Sequence, residues 1–214
     1  MNLLFKIGLR IKEELLNFLF PHSVEVQEIL DLSPTEIESL PKAEPIKDKW
    51  TLALFEYRHA KVKRLIWEIK YKNNLALAKK VGPLLADHLQ TELDEHGLWG
   101  EEVLLIPIPT SDTKRLARGY NHTESLAKEM SNFVSHNHIL IKSHETESQK
   151  QAGSRAERLH NLENSMQVVG EPSLSDKVIV LVDDVMTTGA TFAEARRALR
   201  EAGAKKVLAI ALAH

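Results

Sequence analysis

Two adjacent carboxylates, Asp183 and Asp184, stand at the end of an apolar run, Val178–Val182. Small and hydroxylated residues follow: Thr187, Thr188, Gly189, Ala190 and Thr191. The run has the length and β-branched content of a buried strand that ends at Val182, and Thr191–Glu201 has the period of a helix. In open parallel sheets, ligands bind outside the carboxyl ends of the strands. A Gly/Thr loop entering a helix offers free backbone N–H groups and hydroxyls to a phosphate. Two carboxylates aimed into the same cleft suit the vicinal hydroxyls of a sugar. The combination reads as a ribose 5-phosphate binder rather than a bare phosphate site. An isolated Asp-Asp would read as a helix N-cap with a solvated neighbour, but the strand and loop around it argue otherwise. Neither GxxxxGK[ST] nor a GxGxxG after a strand is present.

The surrounding elements must hold that strand end in place. Thr51–Tyr57, Val103–Ile108, His138–Lys142, Met166–Val169, Lys177–Val182 and Lys206–Leu212 read as strands. Lys61–Tyr71, with Val62, Leu65, Ile66 and Ile69 on one face, reads as a helix, as do Leu75–Leu93 and Asn121–Val134. Alternating apolar strands and helices imply an α/β fold with an open, mainly parallel sheet flanked by helices. Residues 51–214 form that domain. Residues 1–50 read as an amphipathic helix over 3–20 and a Pro-rich connector over 21–49 with one short helix near 34–40. Helix 3–20 packs on its own domain or a neighbour, with a membrane-surface or partner-docking role as the weaker reading. Ser143–Leu162 is polar and charged, the composition of a long arm.

Composition excludes several chemistries. The 214 residues contain no cysteine, so disulfides, thiol nucleophiles and cysteine-ligated zinc are ruled out. The net charge of −2, from 28 basic and 30 acidic residues, gives no global field for nucleic acid. A local basic patch exists at Arg58, Lys61, Lys63, Arg64, Lys70 and Lys72, for which a solvated helix face is the plainer reading. His136/His138 and His144/His160 lack metal-site spacing and read as surface residues. No apolar stretch is long enough for a transmembrane span, and no signal peptide is recognisable. A cytoplasmic protein is expected.

The segment LVDDVMTTGAT resembles the phosphoribosyl pyrophosphate (PRPP) motif of type I phosphoribosyltransferases. Three further segments resemble the ComF/GntX-like branch, linked to DNA uptake in competence: LFEYRHAKVKRLIWEIKYKNN (54–74), IPIPTSDTKRLARGYNHTESLA (106–127) and ETESQKQAGSRAERLHNL (145–162). The likeness is colinear over about residues 51–213. It implies that Asp183 and Asp184 bind the ribose hydroxyls and, with PRPP, Mg²⁺. It places the 5-phosphate on Thr187, Thr188, Gly189, Ala190 and Thr191. Thr110 and Ser111 fall in the pyrophosphate loop, with Lys114, Arg115 and Arg118 as cations for the leaving group. Residues 143–162, with Gln149, Arg155, Arg158 and Asn161, fall where the branch has its flexible catalytic arm.

The resemblance leaves two functions open. One is a phosphoribosyltransferase that displaces pyrophosphate at the anomeric carbon. The other is a non-catalytic accessory protein in competence and DNA uptake, using the fold for nucleotide sensing or for contact with single-stranded DNA or DNA-processing proteins. A homodimer is compatible with either. Members of the branch usually carry a four-cysteine zinc module after an apolar helix and a Phe-Pro. Here Phe20-Pro21 is present, but residues 22–49 contain no cysteine. His122 stands where the family often has Gln, and Asn73-Asn74 where Gly is frequent.

Overall fold

The computed structural model describes residues 24–98, 100–135, 138–142, 164–170 and 173–214. The helix read over 3–20 and the arm with Gln149, Arg155, Arg158 and Asn161 lie outside the described residues. Five strands form one parallel sheet in the order β1-β7-β6-β2-β3. They are β1 (Thr51–Phe55), β2 (Val103–Pro107), β3 (Val134–Ser135), β6 (Val178–Val185) and β7 (Lys206–Ala213). Strands β4 (Leu140–Lys142) and β5 (Met166–Val168) pair antiparallel in a separate two-stranded sheet. The mainly parallel α/β architecture is therefore as the alternation of elements implies.

Strand β6 is central. Its neighbours β7 and β2 pair with both edges and helices cover both faces, so Val178–Val182 are buried throughout. This explains the unbroken apolar run, since a doubly covered parallel strand has no polar face. Val178, Val180 and Val182 pack with helices α3 (Ala60–Lys72), α4 (Leu75–Glu95) and α6 (His122–Glu129). Ile179 and Leu181 pack with helix α7 (Ala190–Glu201) on the other face.

Several boundaries differ from the sequence reading. Segment 21–49 holds two helices rather than one, α1 (Val24–Asp31) and α2 (Pro34–Glu38). Ile29, Leu32, Ile37 and Leu40 join the main core cluster. The start of α2 is fixed by a capping box between Ser33 and Glu36. Lys80 of α4 donates to the carbonyls of Leu30 and Leu32, at 2.8 and 2.7 Å, closing the end of α1. The helix read over Asn121–Val134 stops at Glu129, and Val134 enters β3. Strand β6 continues past Val182 to Val185, with Asp183 and Val185 in register with Ala211 and Ala213. The two carboxylates thus belong to the strand and not to the loop after it.

The joint between α3 and α4 explains Asn73-Asn74. Asn73 ends α3 in the left-handed region at φ 49°, a conformation that Gly and Asn tolerate. Asn74 caps α4 by accepting from the backbone N–H of Leu77 at 3.1 Å. Helix α4 then passes so close to the end of α6 that a Cβ on Gly82 would lie 2.5 Å from the Cβ of Glu129. Only glycine fits that crossing, which seats α6 against the sheet.

Candidate functional site

The alternation of a strand sends successive side chains to opposite faces. Asp184 continues the face of Val180 and Val182, towards α3 and α6. It is almost fully buried, at 4% exposure. Lys70, from the last turn of α3, places Nζ 2.5 Å from Asp184 Oδ2. His122, at the start of α6, places Nε2 3.2 Å from Asp184 Oδ1. Asp183 is half-buried, and its Oδ1 accepts the backbone N–H of Asp184 at 2.8 Å. Burial opposes ionisation of Asp184, but the contact with His122 and the charge of Lys70 outweigh it and hold the carboxyl below the usual range. For Asp183, burial and then the neighbouring Asp184 charge push its carboxyl well above the ordinary value. The neighbours thus differ in character: one is a fixed anion and the other takes up a proton readily.

The segment Arg118–His122 acts as a clasp around this strand end. Gly119 ends helix α5 (Asp112–Arg118) in the left-handed region at φ 78°. Arg118 stacks over Tyr71, 4.6 Å from the ring centroid. Tyr120 donates its hydroxyl to the carbonyl of Lys70 at 3.0 Å. Asn121 caps α6, and its Oδ1 accepts from the hydroxyls of Thr110 and Thr123, both at 2.8 Å. Thr123 also donates to the carbonyl of Ile108 at 2.7 Å. Arg118, Tyr120 and Asn121 therefore tie α3, α6 and the loop after β2 to one another.

The loop from Met186 to Gly189 joins β6 to α7. Gly189 is the N-cap of α7 at φ 77°, which an L side chain would strain. Thr187, Thr188 and Gly189 line a cleft of about 590 Å³ with Lys47, Asp48 and Arg196 among its other walls. Arg196 is engaged there, donating to Asp48 at 2.5 Å and to the Thr51 hydroxyl at 2.9 Å. Ala190 is buried and Thr191 half-buried in the first turn. Thr110 and Arg115 line a different cavity of about 200 Å³ with His138, Leu140 and Lys142. Ser111 caps α5 by position without a side-chain bond. The structure thus brings together Asp183 and Asp184, and separately Thr187, Thr188 and Gly189. Of the residues read for pyrophosphate, Thr110 and Arg115 line another cavity, sharing no wall residue with the first. The side chain of Lys114 is outside the described residues.

Lys70 and His122 were not among the candidate ligands read from the sequence. In the sequence Lys70 stands out only as a charge of a basic helix and as the Lys of the Lys-Tyr pair in the family-like segment 54–74, and His122 only as a departure from the family pattern. What gives them importance is the register of α3 and α6 against β6.

The phosphoribosyl transferase domain model matches residues 70–214. Competence protein F of Haemophilus influenzae is 27% identical over 170 residues, covering 78% of this chain and 72% of that protein. Competence protein ComFC of Streptococcus pneumoniae is 31% identical over 160 residues, covering 75% of this chain and 66% of that protein. The ribose-phosphate pyrophosphokinase of Parasynechococcus marenigrum is 42% identical over 52 residues, 24% of this chain and 15% of that one.

Replacing Lys70 by Met keeps the apolar stem and removes the charge, leaving Asp184 buried beside an unfilled Oδ2. Urea unfolding at pH 7 is expected to show a loss of about 3 kcal/mol, with part of it recovered when Asp184→Asn is added. A loss below about 1 kcal/mol would show that the pair does not hold the strand end.

Proposed function

The chain is a ComF-like member of the phosphoribosyl transferase domain family, and on that premise we propose that it binds PRPP with Mg²⁺ and transfers the phosphoribosyl group. The supporting observation is the unit β6–loop–α7, which presents a half-buried carboxylate one short loop before a glycine-capped helix N-terminus. In this reading Asp183 accepts hydrogen bonds from the ribose hydroxyls. Asp184, anchored by Lys70, orients Asp183 through its own backbone N–H. The backbone and hydroxyls of Thr187, Thr188, Gly189, Ala190 and Thr191 receive the 5-phosphate. Thr110, Ser111, Arg115 and Arg118 serve the pyrophosphate end.

The reaction breaks the bond from the anomeric carbon to a pyrophosphate oxygen and forms one to the acceptor atom, which gives up a proton. Its transition state is oxocarbenium-like, so fixing the ribose and stabilising the departing anion matter more than a nucleophile on the protein. The oxygen donors of Asp183 and Asp184 fit a hard divalent cation. Bound there with the diphosphate, Mg²⁺ would neutralise leaving-group charge. No cysteine is present, so the chain holds no thiol for a glutaminase half-reaction.

One observation favours the second reading, contact with single-stranded DNA. The outer face of α3 exposes Trp67 and Tyr71, tilted at 41° with centroids 5.6 Å apart. Arg64 and Lys72 lie over Trp67 at 4.6 and 5.5 Å, and Lys63 over Tyr57 at 5.8 Å. Aromatic rings interleaved with cations are what a flexible nucleic-acid strand stacks upon.

Two experiments test these readings. Calorimetric titration with PRPP and Mg²⁺ is expected to show binding that falls at least about 100-fold in Asp183→Asn, about the 2.7 kcal/mol expected from losing a charged hydrogen-bonding group. Pyrophosphate release across purine, pyrimidine and amine acceptors then separates transfer from binding alone, and absence of PRPP binding would sink the reading. For the α3 face, single-stranded oligonucleotide affinity is expected to fall about tenfold in Trp67→Ala and to weaken steeply with salt. Equal affinity in the variant would remove the DNA contact.

A further inference from the structure

His122 is buried, with its side chain 6% exposed, yet neither ring nitrogen has a hydrogen-bond partner. Buried imidazole nitrogens are ordinarily satisfied, so an orphan pair calls for an explanation. The ring is not far from an acceptor. Its Nε2 lies 3.2 Å from Asp184 Oδ1, but without the alignment a hydrogen bond requires. That separation with poor alignment is the geometry that two ligands of one ion adopt. Two ligand atoms each about 2.1 Å from one ion, subtending roughly 90–110°, stand about 3.0–3.4 Å apart and point past one another at the ion. Ligand atoms of His122, Asp183 and Asp184 all lie within 4.8 Å of one another, the one such cluster among the described residues.

We propose that His122, Asp183 and Asp184 form an imidazole–dicarboxylate site for a transition-metal dication, with Mn²⁺, Co²⁺ or Zn²⁺ preferred to Mg²⁺. The donor set supplies one borderline nitrogen and two hard oxygens, which suits these ions, whereas Mg²⁺ favours oxygen alone. Lys70 occupies Asp184 Oδ2 and so leaves Oδ1 as the ligand on the His122 side. Three protein ligands leave coordination positions for water or for oxygens of a phosphorylated ligand. The carboxylates are those of the ribose-phosphate reading, on which the placement of the site rests. The nitrogen donor His122 is supplied by the first turn of α6, which packs against the end of β6.

The test uses the whole chain without PRPP. Co²⁺ titration followed by visible absorption, and calorimetry with Mn²⁺ and Mg²⁺, are expected to give one site per chain. In His122→Gln, Mn²⁺ and Co²⁺ affinity should fall at least about tenfold while Mg²⁺ affinity changes less than about threefold. Pulsed EPR of Mn²⁺ on the unaltered protein should show coupling to an imidazole nitrogen, a readout that does not depend on the variant folding. Absence of that coupling, or the same Mn²⁺ affinity in a folded His122→Gln protein, would overturn the site. A protein that holds Mn²⁺ through His122 but ignores PRPP keeps the metal site and loses the reaction. One that binds PRPP with Mg²⁺ and shows no nitrogen coupling loses the metal site alone.

Discussion

The structure turns on the desolvated carboxylate of Asp184 at the end of the central strand. A buried anion is tolerated only when opposite charge and polar groups reach it, and otherwise the strand end would cost several kcal/mol. Lys70 and His122 meet that need from two different helices. The requirement propagates outward. Lys70 must sit in the last turn of α3, whose end is set by the left-handed Asn73 and by Tyr120 holding the Lys70 carbonyl. His122 must open α6, whose seat depends on the Asn121 cap and on the close crossing at Gly82.

The same constraint divides the labour between neighbours. With Asp184 committed to Lys70, Asp183 is the carboxylate left half-buried at the rim. Burial and then the adjacent fixed negative charge disfavour its ionisation until a cation or a hydrogen-bond donor arrives. A ligand that supplies either would relieve that tension. Stability bound up in Asp184 is present above the ordinary carboxylate range and is lost only as pH falls through its depressed value. The raised Asp183 works in the opposite sense, subtracting stability as pH rises through its own titration. Sites for anionic or cationic ligands often hold such strain in the empty protein.

Much of this was legible from residue types and spacing. The run Val178–Val182 reads as a buried strand, and the Gly/Thr segment after Asp184 as a loop entering a helix, which begins at Ala190. The face Val62, Leu65, Ile66 and Ile69 is the buried face of α3. Other features depend on distance in space. The strand ends at Val185 rather than Val182 because β7 remains paired beside it through Ala213, which local composition does not report. That extension places both carboxylates on paired strand, with ligand atoms that still lie within 4.8 Å of one another and of His122. The pairing of Lys70 with Asp184 spans 114 positions and is invisible to any local pattern. The helix α1 is hidden because eight residues that mix four apolar side chains with Glu25, Glu28 and Asp31 are too short to show a clear period, and its burial comes from the core it joins.

The central claim is that two adjacent carboxyls on one strand have opposite protonation tendencies, Asp184 held down by His122 and Lys70 and Asp183 pushed up by burial and the Asp184 charge. Carbon-detected NMR titration of the aspartate carboxyls reads this directly. Asp184 is expected to stay ionised below the ordinary carboxylate range, and Asp183 to titrate above it. Titration of both near the ordinary value, about 3.9, would contradict the account.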